Sequence, residues 1–342
     1  MQASVVIRSK DEAGRLRLTL ASLARQTVPA EIIVVNDGSR DHTAAVVAAA
    51  PLPCPVIYVE HGQAQGRSAA SNAGAARASG DVLIFLDGDT LAAPDLVERH
   101  LQCHRQHTDA IIRGETRHLR CTRYLADPET GLPMPGEASR IARLPPYELA
   151  RMRITQADIL HNFDGILARS LEGIYPGTGP RKLYELEMDA LQNHPGCNVL
   201  WAAAAGANLS VTTAIFRATG GFDRALTINE HRELALRLCQ AGGRMLPLAG
   251  ACSFHMTHRA GWRDPLVEAG WEQIFYQKHP IAAVALLAVL WRSLAQPPQL
   301  PVAARIESLP ALEAAALRCA GIYGIEAIRN AHLQFHIMAD AS

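Results

Sequence analysis

Short apolar runs alternate with helical patterns along the first hundred residues. Ser4–Ile7 is a β-rich run, and Asp11 is placed to cap a helix in which Leu16, Leu20 and Leu23 recur on one face. Glu31–Val35 is a continuous apolar run, as expected of a strand covered on both faces. Ser39 and Asp41 start a second, alanine-rich helix, and Val56–Val59 is a third strand. A small-residue helix follows over Ser68–Ser79, closed by Gly80, and Asp81–Leu86 is a fourth strand. This β-α-β rhythm predicts a mostly parallel sheet with right-handed crossovers and helices on both faces. Ligands of such sheets sit beyond the C-terminal strand ends, where Arg8, Asp37 and Asp87 fall.

From about residue 115 to 200 the rhythm is lost. A turn-rich stretch over 127–136 gives way to helical patterns between Pro146 and Leu171 and between Arg181 and Gln192. This segment reads as an insertion that covers the ligand edge of the sheet or forms an oligomer contact. Order resumes over Gly206–Val211, Gly220–Asp223 and a helix beginning near Glu230. The last sixty or so residues look helical, broken by Gln296–Pro301. The longest apolar run, Ile281–Trp291, falls well short of the roughly 20 residues that span a bilayer and reads as a buried helix.

Composition adds limits rather than direction. Lys+Arg and Asp+Glu both number 33 in 342 residues, so net charge gives no argument for a nucleic-acid partner. The seven cysteines are scattered and never in a CxxC pair, which points to free thiols in a reducing compartment. The N-terminus enters a strand without a basic and then apolar leader, so a cytoplasmic protein is expected, soluble or peripheral to the membrane.

Chemistry concentrates first at Asp87-Gly88-Asp89. Two carboxylates two apart, after a buried strand, can hold a hard divalent cation against phosphate oxygens, and the glycine lets backbone approach a ligand. Asp-Gly is equally a common turn dipeptide. Asp37, after the second strand, can accept from the imide N–H of a uracil or thymine, while Ser39 caps the next helix.

Taken in order, these segments resemble family 2 glycosyltransferases of the GT-A fold. Val5–Glu12 resembles the first strand and nucleotide loop, Glu31–Ser39 the base-binding strand, and Gly62–Gly80 the helix before the metal strand. Leu83–Asp89 resembles the DXD motif, Gly206–Val211 with Gly220–Asp223 the acceptor-side segment, and Asn229–Leu238 the catalytic-base helix. The resemblance implies a nucleotide-sugar-binding half over 1–114, a helical insertion or acceptor cover over 115–200, an acceptor and base half over 201–262, and a helical extension over 263–342. It implies a UDP-sugar or related donor, Mn²⁺ or Mg²⁺, a hydroxyl acceptor, and transfer with inversion. Asp37 would bind the base with Arg8 flanking the nucleotide; Asp87 and Gly88 would support the donor; Asp89 would ligate the metal. Asn208 would lie on the acceptor side.

The sequence departs from that family in two places. Glu230-His231 stands where Glu-Asp is usual, which leaves Glu230 as the expected general base and His231 as the weaker candidate. Ser71 stands where an arginine often precedes Asn72, so Arg67 is the arginine left to reach the diphosphate. Glu233 is either an exposed helix charge or a contact that orients helix or acceptor. Relatives with a late histidine use it as a further metal ligand, and His255 and His258 are the candidates here. Strand alternation turns residues 255 and 258 to opposite faces, so one of them is expected at the metal, with His255 preferred. Trp262 is a candidate for stacking on an acceptor sugar. The competing readings are a nucleotidyltransferase, disfavoured because Arg8–Gly14 lacks a glycine-rich run, and a non-catalytic nucleotide-sugar-binding protein.

Overall fold

The computed structural model describes residues 1–53, 55–172, 182–258, 270–294 and 300–339. Its strands are β1 (Ala3–Ser9), β2 (Glu31–Asn36), β3 (Ile57–Glu60), β4 (Val82–Asp87), β5 (Thr90–Ala92), β6 (Ala110–His118), β7 (Leu125–Asp127), β8 (Leu132–Pro133), β9 (Leu171–Glu172), β10 (Leu209–Thr212) and β11 (Arg244–His255). The helices are α1 (Ala13–Leu23), α2 (Thr43–Ala48), α3 (Arg67–Arg77), α4 (Leu96–Gln106), α5 (Ala138–Ile141), α6 (Pro146–Met152), α7 (Gln156–His161) and α8 (Phe163–Arg169). They continue with α9 (Lys182–Asn193), α10 (Thr213–Ala218), α11 (Glu230–Gln240), α12 (Trp271–Lys278), α13 (Ala282–Leu294), α14 (Leu309–Arg318) and α15 (Ile325–Ala339).

The main sheet runs β3-β2-β1-β4-β10-β6-β11-β5, with β9 paired to β6. The first four strands are parallel, as the β-α-β rhythm requires. Beyond β4 the sheet is mixed, because β10 runs antiparallel to both β4 and β6 and β5 runs antiparallel to β11. The buried strands alternate between two cores. Val5, Ile7, Ile32, Val34, Ile84 and Leu86 face a layer that includes α1, α2, α4, α7 and α8. Val6, Ile33, Val35, Leu83 and Phe85 face α3, α9, α10, α11 and the C-terminal helices. Gly74 lets α3 lie against β1, since a Cβ there would run into Val6 and Val35.

The apolar run at Ile281–Trp291 becomes α13, buried from Ala283 to Trp291. Among the described residues no helix is long and apolar enough to cross a membrane. Cys103, Cys121, Cys197, Cys239, Cys252 and Cys319 are free.

Two expectations change. Asp11 does not cap α1: its φ is 54°, and its carboxylate instead accepts from the Arg40 amide. Asp41 supplies the bond to the start of that helix, accepting from Ala13 N while its other oxygen takes Thr43 N. The boundary at 114/115 cuts through β6, whose second half continues as a sheet strand to His118. The inserted segment therefore begins after β6, with the β7–β8 hairpin and α5–α8, and it returns a short strand, β9, to the sheet edge of β6.

Candidate functional site

Parallel register sets the centre of the site. Arg8 and Asp87 are direct neighbours across β1 and β4 near the strand ends. Arg8 Nε donates to Asp87 Oδ1 at 2.6 Å, and Arg8 Nη1 donates to Glu230 Oε1 at 2.9 Å. One guanidinium thus ties the donor strand to the first residue of α11. Asn229, in the left-handed region at φ 59°, turns the chain so that α11 starts with Glu230 facing inward. Burial works against the charge on Glu230. The nearby His231 ring and the Arg8 and Arg67 charges outweigh it and hold the carboxyl below the ordinary range. Burial and the Arg232 charge push His231 down to about 4, against the pull of Glu230.

Asp89 lies just past β4, at the turn into β5. Because β5 pairs with β11 through Thr90 and His255, and Met256 N donates to Asp89 O at 2.9 Å, the end of β11 is carried over Asp89. His255 Nε2 lies 3.2 Å and His258 Nε2 2.8 Å from Asp89 Oδ2. Both histidines meet the carboxylate, contrary to the alternation argument. The reason is local: β11 ends at His255, so the period of two does not extend to residue 258. Burial opposes the charge on Asp89, but the two histidines outweigh it and hold the carboxyl well below its usual range.

These three donors suit a divalent cation. Their ligating atoms lie within 4.8 Å of one another, and cis ligands about 2.1 Å from an ion sit roughly 3 Å apart, close to the Asp–His separations seen. One carboxylate with two imidazoles is softer than the all-oxygen sets preferred by Mg²⁺ and fits Mn²⁺ better.

Asp37 sits at the end of β2 with most of its acceptor capacity in use. Oδ1 faces Gln65 N and His61 Nδ1, each at 2.8 Å, and Oδ2 accepts from Gly66 N at 2.9 Å. The carboxylate shapes the loop into α3, and Oδ2 keeps capacity for one more donor. Arg67 follows as the first residue of α3, near enough to Glu230 to affect its charge.

Gly88 is needed for a different reason than ligand approach. A Cβ there would lie 2.5 Å from Glu12 Oε1 and 2.8 Å from Ser9 Oγ, so the missing side chain makes room for the protein itself. Glu12 is a third carboxyl behind the Asp-Gly-Asp turn. Burial, followed by the charges of Asp89 and Asp87, pushes it well above the ordinary range.

Two acceptor-side candidates are structural. Asn208 is fully buried at φ 60°. Its Nδ2 donates to Glu115 O and Ala251 O at 2.8 Å, and its Oδ1 faces His100 Nε2 at 2.8 Å. It clips β10 to β6 and β11 and has no polar atom left for an acceptor. Glu233 is neither exposed nor open to a ligand. It is buried and held by Arg237 through two bonds of 2.7 and 2.8 Å and by His279 at 2.9 Å. Arg237 also donates to Thr219 O and Gly221 O, so Glu233 locks the Gly220–Asp223 turn and α12 onto α11. Trp262 lies outside the described residues.

His118 also belongs to the site, its Nδ1 3.4 Å from His255 Nδ1 across the paired ends of β6 and β11. Glu187 of α9 is buried between Arg113 and Arg232 at 2.6 Å each. His118 is the last residue of β6, a strand-end position like those of Arg8 and Asp87, but the polar second half of that strand hides it from the apolar pattern. Nothing in the spacing of Arg113, Glu187 and Arg232 announces their meeting.

A twisted α/β sheet with charged side chains converging beyond its C-terminal strand ends is the arrangement of a GT-A glycosyltransferase domain. Residues 4–166 match the profile of glycosyl transferase family 2, and over that region the chain is similar to this family. It is similar to the uncharacterized glycosyltransferase YfnE of Bacillus subtilis, 34% identical over 116 residues that cover 33% of this chain and 30% of the relative. It is also similar to the validoxylamine A glucosyltransferase of Streptomyces hygroscopicus subsp. jinggangensis, 36% identical over 152 residues covering 43% of this chain and 34% of the relative. The chain thus spans about a third of the length of these curated relatives. Among solved structures, S. aureus TarS 1–349 in complex with UDP-GlcNAc superposes with a TM-score of 0.52 at 14% identity, covering 99% of this chain and 74% of that one. That likeness is one of fold.

Proposed function

We propose that the protein transfers a sugar from a nucleoside-diphosphate sugar, a UDP-sugar above others, to an acceptor hydroxyl with inversion, in the presence of Mn²⁺. The observation that carries this reading is the meeting of Asp89, His255 and His258 at the same sheet edge where Arg8 joins Asp87 to Glu230. The TarS structure with UDP-GlcNAc and the glucosyltransferase relative support a nucleotide-sugar donor.

Each residue takes a part. Asp37, with its spare Oδ2 acceptor, receives the imide N–H of a uracil. Arg67 faces the diphosphate. Asp89, His255 and His258 hold the cation, which when bound neutralises charge developing on the leaving diphosphate. Arg8 fixes Glu230 Oε1 and leaves Oε2 as the atom that takes the acceptor proton. A base held below the ordinary carboxylate range stays ionised at every physiological pH, so it is always in the proton-accepting form, though intrinsically weak.

A nucleotide-sugar panel with and without Mn²⁺, read by thermal unfolding, tests this. Binding raises stability by mass action, by about 2.7 kcal/mol at one hundred times Kd. Stabilisation by one UDP-sugar that needs Mn²⁺ and vanishes in Asp89→Ala is expected. Stabilisation unaffected by either change would overturn the metal role.

A further inference from the structure

The side chain of His231 is oriented by a cation. Arg232 Nη1 lies 2.8 Å from His231 Nε2. A guanidinium carries only donors, so Nε2 must present its lone pair. Burial and neighbouring charge push the ring down to about 4, so near neutrality it holds a single proton, and that proton sits on Nδ1. His231 Nδ1 faces Glu230 Oε2 at 3.7 Å, and both atoms are buried without a hydrogen-bond partner. Beside them is Gly206, where a Cβ would come within 3.4 Å of His231 Nδ1 and 3.0 Å of Arg8 Nη2. The absence of that Cβ keeps the ground beside His231 Nδ1 and Arg8 Nη2 clear of side chain.

Arg232 has no freedom to turn away. Its Nε donates to Ala202 O at 2.8 Å, Nη1 also donates to Asn229 Oδ1 at 2.8 Å, and Nη2 donates to Glu187 Oε1 at 2.6 Å. The guanidinium lies 5.2 Å over the Trp291 ring. Glu187 comes from α9 and is held on its other side by Arg113, while Trp291 comes from α13. The inserted helix and the C-terminal extension therefore grip the start of α11 from behind.

We propose that Arg232 is a positioning residue that commits His231 to donate through Nδ1, so that His231 holds the acceptor hydroxyl oxygen while Glu230 Oε2 takes its proton. This rests on the transferase reading above and divides the labour within it. The acceptor O–H bond breaks and its proton passes to Glu230. The freed oxygen pair forms the new bond to the anomeric carbon, and the electrons of the old glycosidic bond leave with the diphosphate. His231 gains and loses no proton in this step.

Histidine-¹⁵N-labelled protein at neutral pH gives a direct test through long-range ¹H–¹⁵N correlation, with the His231 signals assigned by their loss in His231→Gln. The expected pattern is a protonated Nδ1 and a bare Nε2. A proton on Nε2, or a doubly protonated ring, would overturn the proposal. Arg232→Lys, still a pure donor, should keep the pattern, whereas Arg232→Leu should release it. Kinetics supply the second arm. His231→Gln retains an N–H donor but no titrating ring, and it should lower transfer by about 10–100-fold with the pH profile unmoved. Glu230→Gln should lower it by about 10³-fold or more. Equal losses in the two variants, with a changed pH profile in His231→Gln, would make His231 the base and reject the proposal. The spectrum needs no substrate, so failure of the transferase reading would show separately, as absence of nucleotide-sugar binding in the unaltered protein.

Discussion

Asp89 and Glu230 are both buried carboxylates at one sheet edge, and their neighbours set them to different work. Asp89 faces two imidazole rings, whose nitrogens are the kind of donor a divalent cation takes. Glu230 faces Arg8, an obligate cation that can neither leave its charge nor ligate a metal. In the proposed reading the first cluster opens to an ion. The second is already neutralised within the protein, and Glu230 Oε2 is left without a hydrogen-bond partner. Residue type alone does not separate the two roles; the partner does.

The largest expected effects come from crossing the two clusters. Glu230→Gln should cut transfer by about 10³-fold or more and leave Mn²⁺ affinity within about twofold. Asp89→Ala should abolish Mn²⁺ binding, measured by calorimetry, and remove transfer with it. If Glu230→Gln weakened Mn²⁺ as strongly as Asp89→Ala does, the two clusters would be one unit and the contrast would fail.

Next come the residues that hold the two clusters in place. Asn208→Ala and Glu233→Ala should each lower the unfolding free energy by about 3 kcal/mol in urea titrations. The first leaves His100 and two carbonyls unpaired, and the second leaves Arg237 and His279 without their buried counter-charge. Unchanged stability with a raised KM for acceptor would restore the acceptor role that burial argues against.

The donor half was legible because its chemistry follows strand ends. Apolar runs located β1, β2 and β4, and parallel register then places Arg8 beside Asp87 with no further information. The acceptor half was not, because its contacts join residues far apart in sequence. Arg8 meets Glu230 across 222 positions and Glu187 meets Arg232 across 45, and no periodicity encodes such pairs. Asn208 and Glu233 looked functional as polar residues in motif-like segments. Their burial is a property of β10 lying between β4 and β6 and of α12 closing over α11, neither visible in local pattern. The late histidines differ from the alternation rule in the opposite direction, because β11 stops at His255 and residue 258 lies beyond the reach of the period of two.

A smaller effect should separate the metal cluster from its support. His118 Nδ1 stands 3.4 Å from His255 Nδ1, on the side of the ring away from the Nε2 that meets Asp89. Removing such a partner costs about 10–100-fold in metal affinity. His118→Ala should therefore weaken Mn²⁺ binding by that factor while the pH dependence of Glu230-driven transfer stays in place. An unaltered Mn²⁺ isotherm would reduce His118 to packing.

The smallest effect concerns pH and the clip around Asn208. His100, pushed down to about 4 by burial, contacts Ser210 Oγ at 2.7 Å and Asn208 Oδ1 at 2.8 Å, and His104, also pushed down to about 4, contacts the same Ser210 Oγ at 2.8 Å. Each is neutral in the folded protein, whereas the unfolded chain takes up its proton near 6.5. Below that value the unfolded state binds more protons, so this contribution to stability is fully present above about pH 6.5 and is lost as pH falls toward 4. Between pH 7.5 and 5.5 the loss is about 1.4 kcal/mol for each buried histidine. His104→Asn should lower the steepness of the urea midpoint against pH by about one histidine's share. A midpoint that stays level down to pH 5.5 would mean that His100 and His104 accept protons inside the fold, and that the clip holding β10 is open enough to let them do so.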